Sequence, residues 1–186
     1  MRKKEGSKSK DIDKAITILK RGGVVIFPTD TVYGIGCIWN NLLAKTRIKK
    51  IKASRQNFPI LISDLSQLHQ IAKVTGPAQQ LINKHWPGAL TVLLKSKHDL
   101  KKIGIRMPKS AIAKALIVGA GAPLIGTSAN FHTKEAPRTY EDLDENFKRL
   151  ADFTVKGDCE LKEESTVIDA TTIPFKIVRY GALNVK

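Results

Sequence analysis

The run Val24-Val25-Ile26-Phe27 limits the fold of this chain more than any other segment. Its apolar residues do not alternate with polar ones, so the run fits a strand buried on both faces. Such a strand needs cover on both sides of its sheet. Just ahead of it, Ile12, Ala15, Ile16 and Leu19 recur at helical spacing, which predicts a helix from about Asp11 to Arg21. Ser9 or Asp11 can cap its start, and Gly22-Gly23 can end it through a left-handed turn. Pro28 stops the strand, and a polar loop from Thr29 to Gly36 follows.

The same reading predicts helices over 42–51, 65–74, 77–86, 110–118 and 139–150. Pro77 suits a first helical turn, Ser110 a cap, and Thr139 a cap with Asp142 three residues on. Strands are predicted over 59–63, 90–94, 103–106, 123–126, 153–155, 166–170 and 176–179. Helices and strands mix without strict alternation. That favours an α/β domain with a mixed parallel/antiparallel sheet and flanking helices. No linker rich in Pro, Gly or Ser divides it, so residues 11–186 are expected as a single domain behind a disordered basic tail over 1–10. No apolar segment of signal type follows MRKKEGSKSK, and no apolar run approaches the roughly 20 residues of a membrane helix. A cytoplasmic protein without membrane contact is expected.

Chemistry-bearing residues cluster where predicted elements end. The loop after Phe27 lies beyond a strand end, where ligands of open sheets bind; its hydroxyls and amides can hold a small polar ligand or simply close a turn. Lys52 and Arg55 stand at a helix end, where they can neutralise the helix C-terminus or clamp phosphate oxygens. Gly126-Thr127-Ser128-Ala129-Asn130 follows a strand, and Arg106 and Arg179 each terminate one. There is no GxxxxGK[ST] loop, no GxGxxG after a strand, and no HExxH pair among the four histidines. No metal site is expected from protein ligands. Cys37 and Cys159 lack any CxxC neighbourhood and read as buried reduced thiols. The formal net charge of +15 favours a polyanionic partner, although a lysine-rich solvated surface has the same composition.

Five segments together resemble the Sua5/YrdC/YciO family: FPTDTVYGIG from Phe27, HWPGALTVLL from His85, IGIRMP from Ile103, PLIGTSAN from Pro123, and STVIDAT with IVRYGA near the end. The resemblance covers about residues 11–182 and the single-domain YrdC form, without the extra C-terminal domain of longer Sua5 proteins. It implies a twisted YrdC-like fold with a concave basic surface. The activity it implies is L-threonylcarbamoyladenylate synthesis from L-threonine, bicarbonate or CO2, and ATP with Mg2+, releasing pyrophosphate. The product feeds N6-threonylcarbamoyladenosine formation in tRNA through downstream transferase proteins. Carried across by motif, Thr31, Arg106, Ser128 and Ser165 match L-threonine-binding positions. Lys52, Ser54, Asn130, Arg138 and Arg179 match ATP-side positions, and Lys52, Arg55, Ser128 and Asn130 are the catalytic candidates. The chain departs from the family pattern in four places. Ser54 stands where KxR has arginine, with Arg55 one residue later; Phe58 stands where the family has asparagine or lysine before the proline; Ser63 stands where longer members carry a histidine; and His132-Thr133 replaces Ser-Gly. The alternative reading is a divergent, YciO-like RNA-binding member of the same fold without full catalysis.

Overall fold

A computed structural model describes residues 2–132 and 134–185. Helix α1 (Arg2–Lys20) leads into β1 (Val25–Pro28), and residues 29–32 turn the chain back as β2 (Tyr33–Ile38). There follow α2 (Leu42–Ile51), β3 (Ile60–Leu61), α3 (Leu65–Ile71), β4 (Ala72–Lys73), α4 (Gly76–His85), β5 (Leu90–Ser96) and β6 (Lys102–Arg106). The chain continues through α5 (Ala111–Ala120), β7 (Leu124–Ser128), α6 (Glu145–Lys148), β8 (Phe153–Thr154), β9 (Thr166–Asp169) and β10 (Lys176–Arg179). The strands form one sheet in the order β10-β9-β5-β6-β3-β7-β2-β1-β8, with β4 added beside β5. The pairs β1–β8, β3–β6 and β5–β9 are parallel, and the other pairs are antiparallel. The sheet is therefore mixed, as the pattern of elements predicts.

β1 is covered on both faces, as its unbroken apolar run requires. Val24 and Ile26 pack with Ala44 and Ile48 of α2 and with Phe147 of α6. Val25 and Phe27 pack on the opposite side with Leu19 of α1 and with Leu116 and Ile117 of α5. Each side chain of this size contributes about 1.5–3 kcal/mol when fully buried. A third cluster joins α3 and α4 to β5 through Leu68, Ile82, Val92 and Leu94. Side-chain caps fix five helix starts: Asn41, Asp64, Thr75, Ser110 and Asp144 each accept a backbone N–H of the first turn. No helix among the described residues is long and apolar enough to cross a membrane.

Four local expectations change. Residues 2–10, expected as a disordered tail, belong to α1, so neither Ser9 nor Asp11 caps it. That segment holds lysine, arginine and glutamate and no proline, and a helix already seeded by the apolar face of residues 12–19 extends at little cost. Half of the expected loop Thr29–Gly36 is β2. Its glycines read as turn residues, yet Gly36 is glycine because β7 lies against it: a Cβ there would stand 2.2 Å from the Ile125 carbonyl oxygen. The helix expected over 65–74 stops at Ile71, and Ala72 and Lys73 pair with β5 before Thr75 caps α4. The helix expected over 139–150 shrinks to α6. Thr139 and Asp142 do exchange N–H bonds, at 2.8 and 3.3 Å. Asp144 then takes the N–H groups of Asn146 and Phe147 and begins a separate turn.

Candidate functional site

Three groups of residues at the ends of strands and of α2 line two adjoining cavities. The first is the turn between β1 and β2, whose residues 29–32 are all buried. Thr29 Oγ1 donates to the Val32 carbonyl at 2.7 Å and accepts the Thr31 N–H at 3.1 Å. Its own proton being used, the 2.9 Å bond to Thr31 Oγ1 is donated by Thr31. Thr31 Oγ1 in turn accepts from Arg106 Nη1 at 2.7 Å. Arg106 ends β6 and also donates from Nη2 to Asp30 Oδ1 at 2.6 Å and from Nε to the Gly88 carbonyl at 3.0 Å. The Asp30–Arg106 ion pair is buried, with side chains 2% and 7% exposed. Burial pushes the Arg106 guanidinium pKa down, and the adjacent Asp30 charge opposes that shift. Removing two charges from water is costly, so the pair is better understood as positioning a functional group than as stabilising the fold. Three of the five guanidinium protons are used, leaving one on each terminal nitrogen.

The second group joins the end of α2 to the end of β7. Lys52 is the residue after α2, and its Nζ donates to the carbonyls of Ser128 at 2.8 Å and Asn130 at 2.6 Å and to Asn130 Oδ1 at 2.5 Å. Ser128 Oγ donates to the same Oδ1 at 2.7 Å. Asn130 Nδ2 completes the loop with a bond to the Lys134 carbonyl. All three ammonium protons of Lys52 are thus committed to neutral oxygens of the 128–130 loop. The side chain is buried, and burial pushes its pKa down to about 8. Lys52 holds the loop and sets a positive charge beneath it.

The third group is the 164–165 segment against β10. Gly181 follows β10 so closely over this segment that a Cβ would stand 2.2 Å from the Glu164 carbonyl oxygen. Arg179 Nε and Nη2 donate to the Ser165 carbonyl at 3.1 and 2.8 Å. Its Nη1 pairs with Glu164 Oε1 at 2.9 Å. Ser165 Oγ lies 2.8 Å from Thr91 Oγ1 of β5.

Two adjoining cavities open between these groups. The smaller, about 130 Å³, is lined by Thr31, Thr91, Arg106, Ser128, Ser165 and Arg179, among others. The larger, about 970 Å³, is lined by Lys52, Ser54, Arg55, Asn130, Arg138 and Arg179, among others. They share Val32, Pro59, Thr127, Ser128, Glu164 and Arg179. Every candidate site residue named from the sequence therefore lines one hollow with a small end and a wide end. The residues matched to an amino acid line the small end, and those matched to a nucleotide line the wide end. The wide end is lined by six lysines and arginines against three glutamates, a balance that suits a polyanion. Arg55 is exposed on its wall, while Ser54 Oγ accepts the Gln56 N–H at 3.2 Å and shapes the loop.

Sequence reasoning missed Asp30, Thr91 and Glu164. Thr91 carried a signal, as a polar residue inside the apolar run 90–94. Glu164 carried none, because two consecutive glutamates read as solvated surface. Thr133 lies outside the described residues. Burial pushes the thiols of Cys37 and Cys159 up to about 12 and about 11, and both are free, as expected. Among the described residues no group of three His, Cys, Asp or Glu side chains could hold a metal ion.

A family model for Sua5, YciO and YrdC proteins, described as telomere recombination, matches residues 17–181. The chain belongs to the Sua5/YciO/YrdC family. Its likeness to the uncharacterized protein YciO of Escherichia coli spans 94% of this chain and 91% of that protein at 30% identity. The solved structure of E. coli YciO superimposes with a TM-score of 0.86. The threonylcarbamoyl-AMP synthase of Bacillus subtilis is 36% identical over 92% of this chain, which spans 54% of that protein. The structure of Pyrococcus abyssi Sua5 complexed with L-threonine gives a TM-score of 0.86 at 31% identity, again over 54% of that protein. The mixed sheet with flanking helices is thus the fold of both Sua5 and YciO.

Proposed function

We propose that this Sua5/YciO/YrdC protein is an L-threonylcarbamoyladenylate synthase, acting in the cytoplasm on the route to N6-threonylcarbamoyladenosine in tRNA. One observation carries the reading: a recess of amino-acid size opens, through a wall shared by Ser128 and Arg179, into a cation-lined hollow of nucleotide size. The names of the B. subtilis and P. abyssi relatives, and the threonine complex of the latter, support it.

In this reading Arg106 offers its two spare protons to the threonine carboxylate, with the hydroxyls of Thr31, Ser128 and Ser165 around the rest. The threonine ammonium gives one proton to solvent, and the neutral amine attacks CO2 and releases a second, forming a carbamate. A carbamate oxygen then attacks the α-phosphorus of ATP, and the bond to the β-phosphate oxygen breaks to release pyrophosphate. Both steps join bound molecules, so the protein gains most by holding them in register. Charge builds on the phosphates, and the cations Lys52, Arg55, Arg138 and Arg179 on the walls oppose it. Asn130, fixed by Lys52, and Ser54 supply polar contacts on the nucleotide side. A magnesium ion bound with the triphosphate would supply further charge neutralisation there, and among the described residues no group of three His, Cys, Asp or Glu side chains would cage it.

The test is incubation of the purified chain with ATP, magnesium, bicarbonate and labelled L-threonine. Threonylcarbamoyl-AMP and pyrophosphate are expected in equal amounts. A folded chain that yields neither defeats the reading. One observation favours a second reading, a YciO-like RNA-binding protein without synthesis: Ser54 occupies the position where the family motif has arginine. A charged hydrogen bond of the kind lost there contributes about 1.5–3 kcal/mol. The nearby exposed Arg55 is the group that makes up for it if the first reading holds.

A further inference from the structure

Resting on that reading, we propose that Glu164 is the specificity-determining carboxylate that receives the α-ammonium group of the amino acid. Among the described residues, Glu164 is the one carboxylate lining the small cavity, and it lines the large one as well. Its Oε1 is held by Arg179 at 2.9 Å. Its Oε2 has no hydrogen bond among the described residues, although a carboxylate accepts about four. Its side chain is 42% exposed and lines both cavities, so it is within reach of a ligand held there.

The charge balance of the recess points the same way. Arg106 is matched by Asp30 and Arg179 by Glu164. A recess neutral overall favours a zwitterion, with one donor end and one acceptor end, over a simple carboxylate. Arg106 is the donor end, with two protons left. Glu164 is the acceptor end, with one oxygen left. Neither Lys52 nor Asp30 can serve as that acceptor, since one is a cation and the other lies buried against Arg106. The position of Glu164 where the two cavities join also sets the amine beside the nucleotide, on the side where the carbamate must form.

The experiment compares L-threonine with 3-hydroxybutyrate, which is threonine without its amino group, by titration calorimetry on wild type, Glu164→Gln and Glu164→Asp. ATP affinity and melting temperature are measured in parallel. Glu164→Gln is expected to weaken threonine binding about 10- to 100-fold, the range of a lost charged hydrogen bond. It should leave 3-hydroxybutyrate binding unchanged and ATP binding no weaker, and Glu164→Asp should recover part of the threonine loss. Equal losses for threonine and 3-hydroxybutyrate would mean that Glu164 acts only by placing Arg179, and would overturn the assignment. Unchanged threonine binding in Glu164→Gln would overturn it too. Wild-type protein that binds ATP but no threonine would overturn the synthase reading along with it, an outcome distinct from either of the others.

Discussion

Lys52 condenses the problem of the single residue. From the sequence it is a cation at a helix end; in the fold it is a buried ammonium with all three protons on the 128–130 loop. Burial lowers its pKa from the ordinary 10.5 to about 8. Below pH 8 both folded and unfolded chains carry the proton, and folding bears the full cost of burying it. Between pH 8 and 10.5 the folded state releases the proton first, the unfolded state binds more protons, and stability rises with pH. Urea titrations should show wild type gaining on Lys52→Met across that window. Pyrophosphate affinity should fall over the same range, because the hollow loses a positive charge. A flat difference between the two proteins would show that Lys52 does not titrate there. The positions of Thr31, Arg106, Ser128 and Arg179 were legible because each stands at or just beyond a strand end. The commitments of Lys52 and the presence of Glu164 were not, since both depend on neighbours more than ten residues away.

Elements were legible where an apolar period is strong and a cap is local. α2 and β10 fall where the pattern puts them, and Ser110 caps α5 as expected. Failures came where two acidic caps compete, as in 139–150, or where tertiary contact makes a strand of a glycine-rich segment, as in β2. Between elements, Asp169 of β9 reaches across β5 to Lys102 of β6 at 2.7 Å. Burial works against its ionisation, yet the bonds from Lys102 and Thr171 hold its carboxyl down, to about 2. A carboxyl depressed in the folded state stabilises above its unfolded pKa near 3.8 and stops doing so as pH falls through the folded value. Asp169→Asn should therefore lower urea stability at pH 7, with the gap to wild type closing between pH 4 and 2. A gap that persists at pH 2 would assign the loss to packing.

For the whole molecule, mixed α/β architecture followed from the order of elements, but strand neighbours such as β5–β9 did not, because parallel partners are joined by long stretches of chain. Net charge acts at this scale as well. Counting 32 lysines and arginines against 17 acids, tRNA is expected to be retained at low salt and lost steeply as salt rises, in filter binding across a potassium chloride series. A response without slope would remove RNA from the list of partners.

The cavity walls are drawn from almost the full length of the chain, from Thr29 to Gly181. During synthesis, then, the polypeptide holds no complete pocket until β10 has emerged. A fragment ending at β7 carries Thr31, Lys52, Arg106 and Ser128 yet lacks Glu164, Ser165 and Arg179, so ligand capture waits for β10 to join the sheet.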